Sequence, residues 1–321
     1  MLKPAFLPFL FASFLLLAAC NSVQQESVAT PHSAGLPLFE QITAQQSGIY
    51  FNNRIEENFQ NFFARFNYVY NGGGVAIGDI NNDGLSDIYF TGNEVSNKLY
   101  LNKGDFEFED ITEQAMASGG GGWHNGVTMV DVNADGWLDI YICRGGWEDT
   151  AEERKNLLLL NDGKGGFTES AAAFGLDDSG YSLQAAFFDL ENDGDLDLYL
   201  TNRPDRFFLD YQKVLQGKSN PKDDNRDKLY RNDNGKFIEI GQEAGIVQNY
   251  GYGLGLVASD FNKDGFTDLY IANDYLESDY LYINQGDGTF ADKSKEYTRH
   301  VPFYAMGVDA VDINNDGWED L

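Results

Sequence analysis

The sequence has 321 residues, 42% hydrophobic and 14% aromatic, enough apolar material for one large or two ordinary cores and too much for a disordered chain. A net charge of −29 and a pI near 4.2 argue against nucleic acid or an anionic membrane surface as partner. The 35 glycines suit a turn-rich β protein.

Residues 1–19 read as an export signal. Lys3 supplies a positive charge, and Phe6 to Ala19 is an apolar run too short to span a bilayer comfortably. The run ends in Leu17-Ala18-Ala19-Cys20, which resembles the lipobox of bacterial lipoproteins. That resemblance implies cleavage before Cys20, acylation of Cys20 and a membrane reached through the lipid. It also implies an exported protein at the bacterial outer membrane or cell surface, with Asn21 agreeing. An ordinary cleaved signal and a short membrane anchor are the alternatives. With Cys20 lipidated, Cys143 has no partner in the chain, so an exported domain needs a staple other than a disulfide. Residues 20–37 are polar and read as a flexible tether, with His32 solvated. From Leu38 to Tyr70 the aromatic density (Phe39, Tyr50, Phe51, Phe59, Phe62, Phe63, Phe66, Tyr68, Tyr70) predicts a lead-in buried on the domain, extended at 68–70.

One nine-residue phrase, D-x-[NE]-x-D-G-x-x-D, then begins at 79, 131, 189, 260 and 312. Oxygens at positions 1, 3, 5 and 9 and the carbonyl of position 7 make a hard-cation cage, and glycine at 6 permits the sharp turn. The predicted ligands are Asp79, Asn81, Asp83, Leu85 and Asp87, then Asp131, Asn133, Asp135, Trp137 and Asp139. They continue as Asp189, Glu191, Asp193, Asp195 and Asp197, then Asp260, Asn262, Asp264, Phe266 and Asp268, and finally Asp312, Asn314, Asp316, Trp318 and Asp320. Three carboxylates packed together repel by several kcal/mol at an effective dielectric of roughly 20 unless a cation sits between them. Calcium suits such a cage better than magnesium, at about one ion per loop. Asp-Asn-Gly clusters also form ordinary turns, but identical ligand spacing in all five copies favours metal. Glu191 and the extra acid Asp195 give the third loop the greatest demand for a cation.

Each phrase follows a short apolar run (Val75 to Gly78 in the first copy), and the first four precede a β run with a central tyrosine: Tyr89, Tyr141, Tyr199 and Tyr270. A third run ends at Asn102, Asn161, Asn232 or Asn284, where a Gly-containing turn leads to a fourth strand starting at Phe106, Phe167, Phe237 or Phe290. Four short strands per unit of about 50 residues is a β-propeller blade. The units resemble FG-GAP/VCBS repeats, the calcium-bearing blades of integrin-α-like propellers. The lead-in and Asn71-Gly-Gly-Gly-Val-Ala-Ile-Gly-Asp79 resemble the cartilage-acidic-protein-like bacterial subgroup. The resemblance covers residues 38–321 and implies an all-β fold of six or seven blades with metal loops joining first and second strands. Four full units and the start of a fifth do not close such a ring, so the expectation is the front part of a longer protein.

Two stretches lengthen the connection between second and third strands, Arg144 to Lys155 with Trp147, and Arg203 to Lys228. In the latter, Phe207, Phe208, Tyr211, Val214 and Leu215 fall at helical spacing, with Asp205 placed to cap and Gly217 to stop. The helix is either a cover for sheet ends or a recognition element. Eight residues before each loop stand Asn71, Trp123, Tyr181, Tyr252 and Tyr304. These rings, with Trp147 and polar neighbours such as His124, read either as a surface for a glycan or protein ligand or as wedges between blades. His124 and His300 otherwise read as structural or surface residues. No nucleophile elbow, zinc-helix or phosphate-loop motif is present, so the function expected is non-catalytic: a calcium-stabilised surface binding or adhesion module. The alternative is a scaffold segment that positions a further domain, one of enzymatic function included.

Overall fold

In the computed structural model the residues described are 39–59, 61–147, 149–206, 211–219, 222–247, 251–275 and 277–321. The chain divides into two compact units, Met1–Gln41 and Ile42–Leu321, and every described strand belongs to the second. The signal segment 1–19, Cys20 and the whole tether 20–37 lie outside the described residues.

Among the described residues, sixteen strands form four antiparallel sheets, each a meander in chain order. The first sheet comprises β1 (Val75–Gly78), β2 (Asp87–Phe90), β3 (Lys98–Asn102) and β4 (Phe108–Asp110), and the second β5 (His124–Val130), β6 (Asp139–Arg144), β7 (Leu157–Asn161) and β8 (Phe167–Glu169). The third comprises β9 (Ser182–Phe188), β10 (Asp197–Asn202), β11 (Lys228–Asn232) and β12 (Phe237–Glu239), and the fourth β13 (Gly253–Ser259), β14 (Asp268–Asn273), β15 (Tyr280–Asn284) and β16 (Phe290–Asp292). First strands of successive sheets lie side by side, so the sheets stack as blades. The fifth phrase is present as a loop closed by a bridge between Val311 and Asp320, with Val308 packed against the fourth blade.

The blades are held by their faces. Strands β6, β10 and β14 are buried along their whole length, because both faces of a second strand meet a neighbouring blade. Ala76, Tyr89 and Leu99 of the first blade pack on Val127, Ile140 and Ile142 of the second, and Tyr141 and Leu158 of the second pack on Ala185, Leu198 and Leu200 of the third. Tyr199 and Leu229 of the third meet Leu269, Ile271 and Tyr282 of the fourth in the same way. Each large side chain so buried contributes roughly 1.5–3 kcal/mol. The central tyrosine is kept polar-satisfied at its tip: Tyr89 donates to Ala117 O (2.6 Å), Tyr141 to Leu176 O (3.2 Å), Tyr199 to Asp227 (3.0 Å) and Tyr270 to Asp279 (2.8 Å).

Several expectations need correction. The lead-in is not buried throughout: Phe59 is 93% exposed and Tyr50, Phe63 and Tyr70 are also exposed, whereas Phe66, Tyr68 and Val69 are buried. Residues 67–70 form turns rather than a strand, with Asn71 N–H bonded to Tyr68 O (3.1 Å). The fourth strand of the first blade starts at Phe108, paired with Asn102 as Phe167 is with Asn161; Phe106 sits exposed in the turn at φ 60°. The helix in the long insertion spans Tyr211–Ser219 and runs through Gly217. Asp205 pairs with Lys222 (2.5 Å) and Asn225 (3.2 Å); the residues 207–210 that lead from it into the helix lie outside the described residues. Phe207 and Phe208 lie outside the described residues.

Candidate metal loops and the aromatic cluster

The five acidic loops share one conformation, set by left-handed backbone at two positions. Position 4 has φ of 57° at Asn82, 56° at Ala134, 59° at Asn192, 61° at Lys263 and 60° at Asn315, and the glycine at position 6 has φ between 83° and 93°. Those reversals turn amide groups inward onto the acids. The two oxygens of position 1 accept the N–H groups of positions 5 and 6, as with Asp79 from Asp83 (3.1 Å) and Gly84 (2.7 Å). The same pair recurs on Asp131, Asp189, Asp260 and Asp312. Position 5 accepts the N–H of position 7, at 2.8 to 3.1 Å in all five loops. Asn at position 3 also accepts from position 5, except in the third loop, where Glu191 leans toward Arg231 (3.8 Å).

Position 9 is the hinge between loop and sheet. Asp87, Asp139, Asp197 and Asp268 are fully buried, and Oδ2 of each accepts the N–H of position 2 while Oδ1 accepts the N–H of the Asn that ends the third strand. Burial pushes Asp139 up to about 6, Asp197 to about 7 and Asp268 to about 6; the backbone donors oppose this and neighbouring loop acids reinforce it. Asp131 and Asp135 act on Asp139 in this sense, so the acids of one loop crowd one another electrostatically.

Whether these loops fit a cation turns on what the oxygens still have free. Among the described residues no three His, Cys, Asp or Glu side chains are gathered as a metal centre would hold them, because the carboxylates are turned onto their own backbone amides. Each aspartate at loop positions 1, 5 and 9 nevertheless has about four acceptor sites and accepts one or two hydrogen bonds, Asp193 and Asp316 one each, so the donor set retains oxygen capacity. In the third loop Asp195 Oδ1 is buried with no hydrogen-bond partner, an acceptor that a cation or a water would satisfy. The donor chemistry is all oxygen, which suits calcium. The aromatics at position 7 have a packing role: the Trp137 ring lies over Gly163 and the Phe266 ring over Gly286, so close that an added Cβ would sit 2.8 and 2.9 Å from them. Trp318 receives the Lys263 ammonium at 4.0 Å from its ring centre.

At the opposite ends of the first strands lies an aromatic cluster of Phe66, Tyr68, Val69, Trp123, Tyr252 and Tyr275, flanked by Ile55, Trp147, Leu183 and Leu254. Phe66 meets Trp123 edge-on at 5.2 Å and Tyr252 lies 4.8 Å from Tyr275. Tyr68 donates to Asp274 (3.1 Å) and Tyr252 to Arg206 O (3.0 Å). The ligand-surface expectation is therefore corrected for Trp123, His124 and Tyr252, the last two only 1% exposed: Trp123 and Tyr252 pack on Phe66 and Tyr68 of the lead-in, and His124 is buried beside Asn97. Tyr181 is half-buried between the Arg154 and Arg203 guanidiniums, at 4.1 and 4.6 Å from its ring. Trp147 is half-buried and borders a cavity of about 200 Å³ with Asn58, Asn61, Glu94 and Asp149. Tyr304 is exposed and touches Tyr275 edge-on at 6.1 Å. His124 keeps its imidazole neutral, its pKa lowered to about 4 by burial and then by Arg144, with Nδ1 2.7 Å from Asn97 Oδ1. Sequence reasoning missed Phe66, Tyr68 and Arg203 as the centre of this cluster. It saw the strand-ending asparagines as turn formers but not as partners of position 9.

Four meandering four-stranded blades, each with an acidic loop between its first and second strands, define an all-β repeat protein of the propeller type. The chain belongs to the FG-GAP-like repeat family, which matches residues 79–142, 150–200 and 260–321, more than half of its length. It is similar to cartilage acidic protein 1 of Homo sapiens, 27% identical over 242 residues, which are 74% of this chain and 33% of that protein. It is also similar to the Xenopus tropicalis protein of the same name, 28% identical over 219 residues, 68% of this chain and 31% of that one. The chain thus spans about a third of the length of these relatives. A solved structure described as specific recognition of non-reducing terminal N-acetylglucosamine by an Agrocybe aegerita lectin aligns at a TM-score of 0.36 and 18% identity, over 67% of this chain and 50% of that one. A likeness of that size carries no argument about binding.

Proposed function

We propose that this chain is a non-catalytic, calcium-stabilised binding module of the cell surface. The observation that carries it is the fivefold recurrence of one loop conformation with the same acid-to-amide bonds, in copies whose intervening sequence differs. A turn needs only its glycine and one Asx; these loops also keep an acid at positions 1, 5 and 9, whose mutual repulsion a divalent cation relieves. The family is typically extracellular or cell-surface, where millimolar calcium suits sites of the ~10⁻⁴ to 10⁻³ M class. Attachment through a lipid on Cys20 belongs to the same reading. Labelled fatty acid is expected in the wild-type protein and absent from Cys20→Ser; release of the wild-type protein into the medium with cleavage elsewhere would remove the anchor. The ligand, a glycan or a protein loop, would meet the face carrying Trp147, Tyr181 and Tyr304, the predicted rings that are not fully buried.

Native mass spectrometry of the full chain in calcium tests the cation directly. Several bound ions per chain are expected, one fewer in Asp135→Ala; a spectrum with none in either protein refutes the reading.

A further inference from the structure

Hydrogen bonds between neighbouring loops are unevenly distributed. The Asn82 side chain, at position 4 of the first loop, donates to Gly136 O in the second (3.0 Å), and Asn192 of the third donates to Gly265 O in the fourth (2.8 Å). A return tie links the same two pairs. Asp139 Oδ1 holds the N–H of Asn161, whose Nδ2 donates to Ile80 O in the first loop (2.8 Å). Asp268 Oδ1 holds Asn284, whose Nδ2 donates to Leu190 O in the third (3.0 Å). Among the described residues neither tie is made between the second and third loops. Position 4 there is Ala134, which has no donor, and Asn232 Nδ2 donates to Leu196 O in its own blade (3.2 Å). Ala134 holds the left-handed backbone that asparagine adopts more readily, so this loop keeps its shape without the side chain that would reach its neighbour.

We infer that Asn82 and Asn192 are positioning residues that couple the acidic loops in two pairs, first with second and third with fourth, leaving the seam between second and third uncoupled. The carbonyl each one holds belongs to the peptide just before Trp137 or Phe266, the residue whose own carbonyl is the predicted backbone ligand. Fixing that peptide fixes how the next loop presents its oxygens. The consequence for metal rests on the cation reading: an ion in one loop of a pair preorders the other, and the effect is reciprocal.

Hydrogen exchange of the full chain, read by mass spectrometry on peptides covering each loop, separates the two ideas. Without metal, Asn82→Ala should speed exchange over 131–139 about two- to tenfold, the range a single hydrogen bond supports, and leave 189–197 unchanged. Asn192→Ala should do the same to 260–268 and spare 131–139. Alanine is the residue the second loop already carries at this position, so neither variant is expected to unfold. In the reverse direction Ala134→Asn should slow exchange over 189–197. In calcium, Asp83→Ala should weaken the protection gained by 131–139 and not that gained by 189–197. Changes confined to the mutated loop, or spread equally over all loops, would overturn the pairing. If calcium alters no loop of the wild-type chain, the cation reading fails, while the metal-free comparison still decides the ties.

Discussion

His124 shows how a single residue can be misplaced by its neighbours in sequence. Beside Trp123 and Asn125 it reads as part of a polar, ring-lined surface; in the fold it is buried between Asn97 and Arg144. Its folded pKa of about 4 lies below the ordinary 6.5, so the unfolded chain binds the proton first. Stability from this group is therefore intact above pH 6.5 and declines as pH falls toward 4, by about 3 kcal/mol at most. Urea unfolding of wild type and His124→Gln at pH 7 and pH 4 should show the wild type losing more, with the carboxylates common to both cancelling. Equal losses would mean the imidazole is not held neutral. Trp123 and Tyr252 make a second residue-scale prediction: as wedges, each truncated to Ala should cost roughly 3–5 kcal/mol. A variant with unchanged melting temperature would return them to the ligand surface.

At the scale of elements, the blades are legible because each strand carries its own mark: a central tyrosine, a terminal Asn, a Phe after the turn. Where two marks compete, sequence alone chooses badly. Phe106 and Phe108 have the same parity, so alternation cannot choose between them; the turn closed by Asn102 Oδ1 and the Gly104 N–H (2.9 Å) decides for Phe108. The lead-in misleads because aromatic content without periodicity says nothing about which rings are covered. Packing between outer loops and strands leaves almost no trace in the sequence. Gly245 follows β12 at φ 82°, and a Cβ there would stand 2.7 Å from Phe290 O of the next blade. Gly235, at φ 83° in a hairpin turn, would meet nothing within 4 Å. Gly245→Ala should therefore destabilise by about 1–3 kcal/mol and clearly more than Gly235→Ala in denaturant titration; equal effects would show that the contact yields without strain.

For the whole molecule, the proposed cations would bear on both the acidic charge and the staple that an exported domain needs. Fifteen of the 51 acidic residues are the aspartates at positions 1, 5 and 9 of the loops, and Cys143 is a buried free thiol. The loop spacing is legible because the predicted ligand positions are local in sequence. The ties between loops are not, because Asn161 and Ile80, or Asn284 and Leu190, meet only after the blades have stacked. The central claim, that cations stabilise the stack, is tested most directly by thermal unfolding of the full chain in chelator and in ~10 mM calcium. For sites in the ~10⁻⁴ to 10⁻³ M range each loop should add about 1.4–2.7 kcal/mol, a clear rise in melting temperature that Asp135→Ala reduces by one increment. The same melting temperature in chelator and in calcium would contradict it.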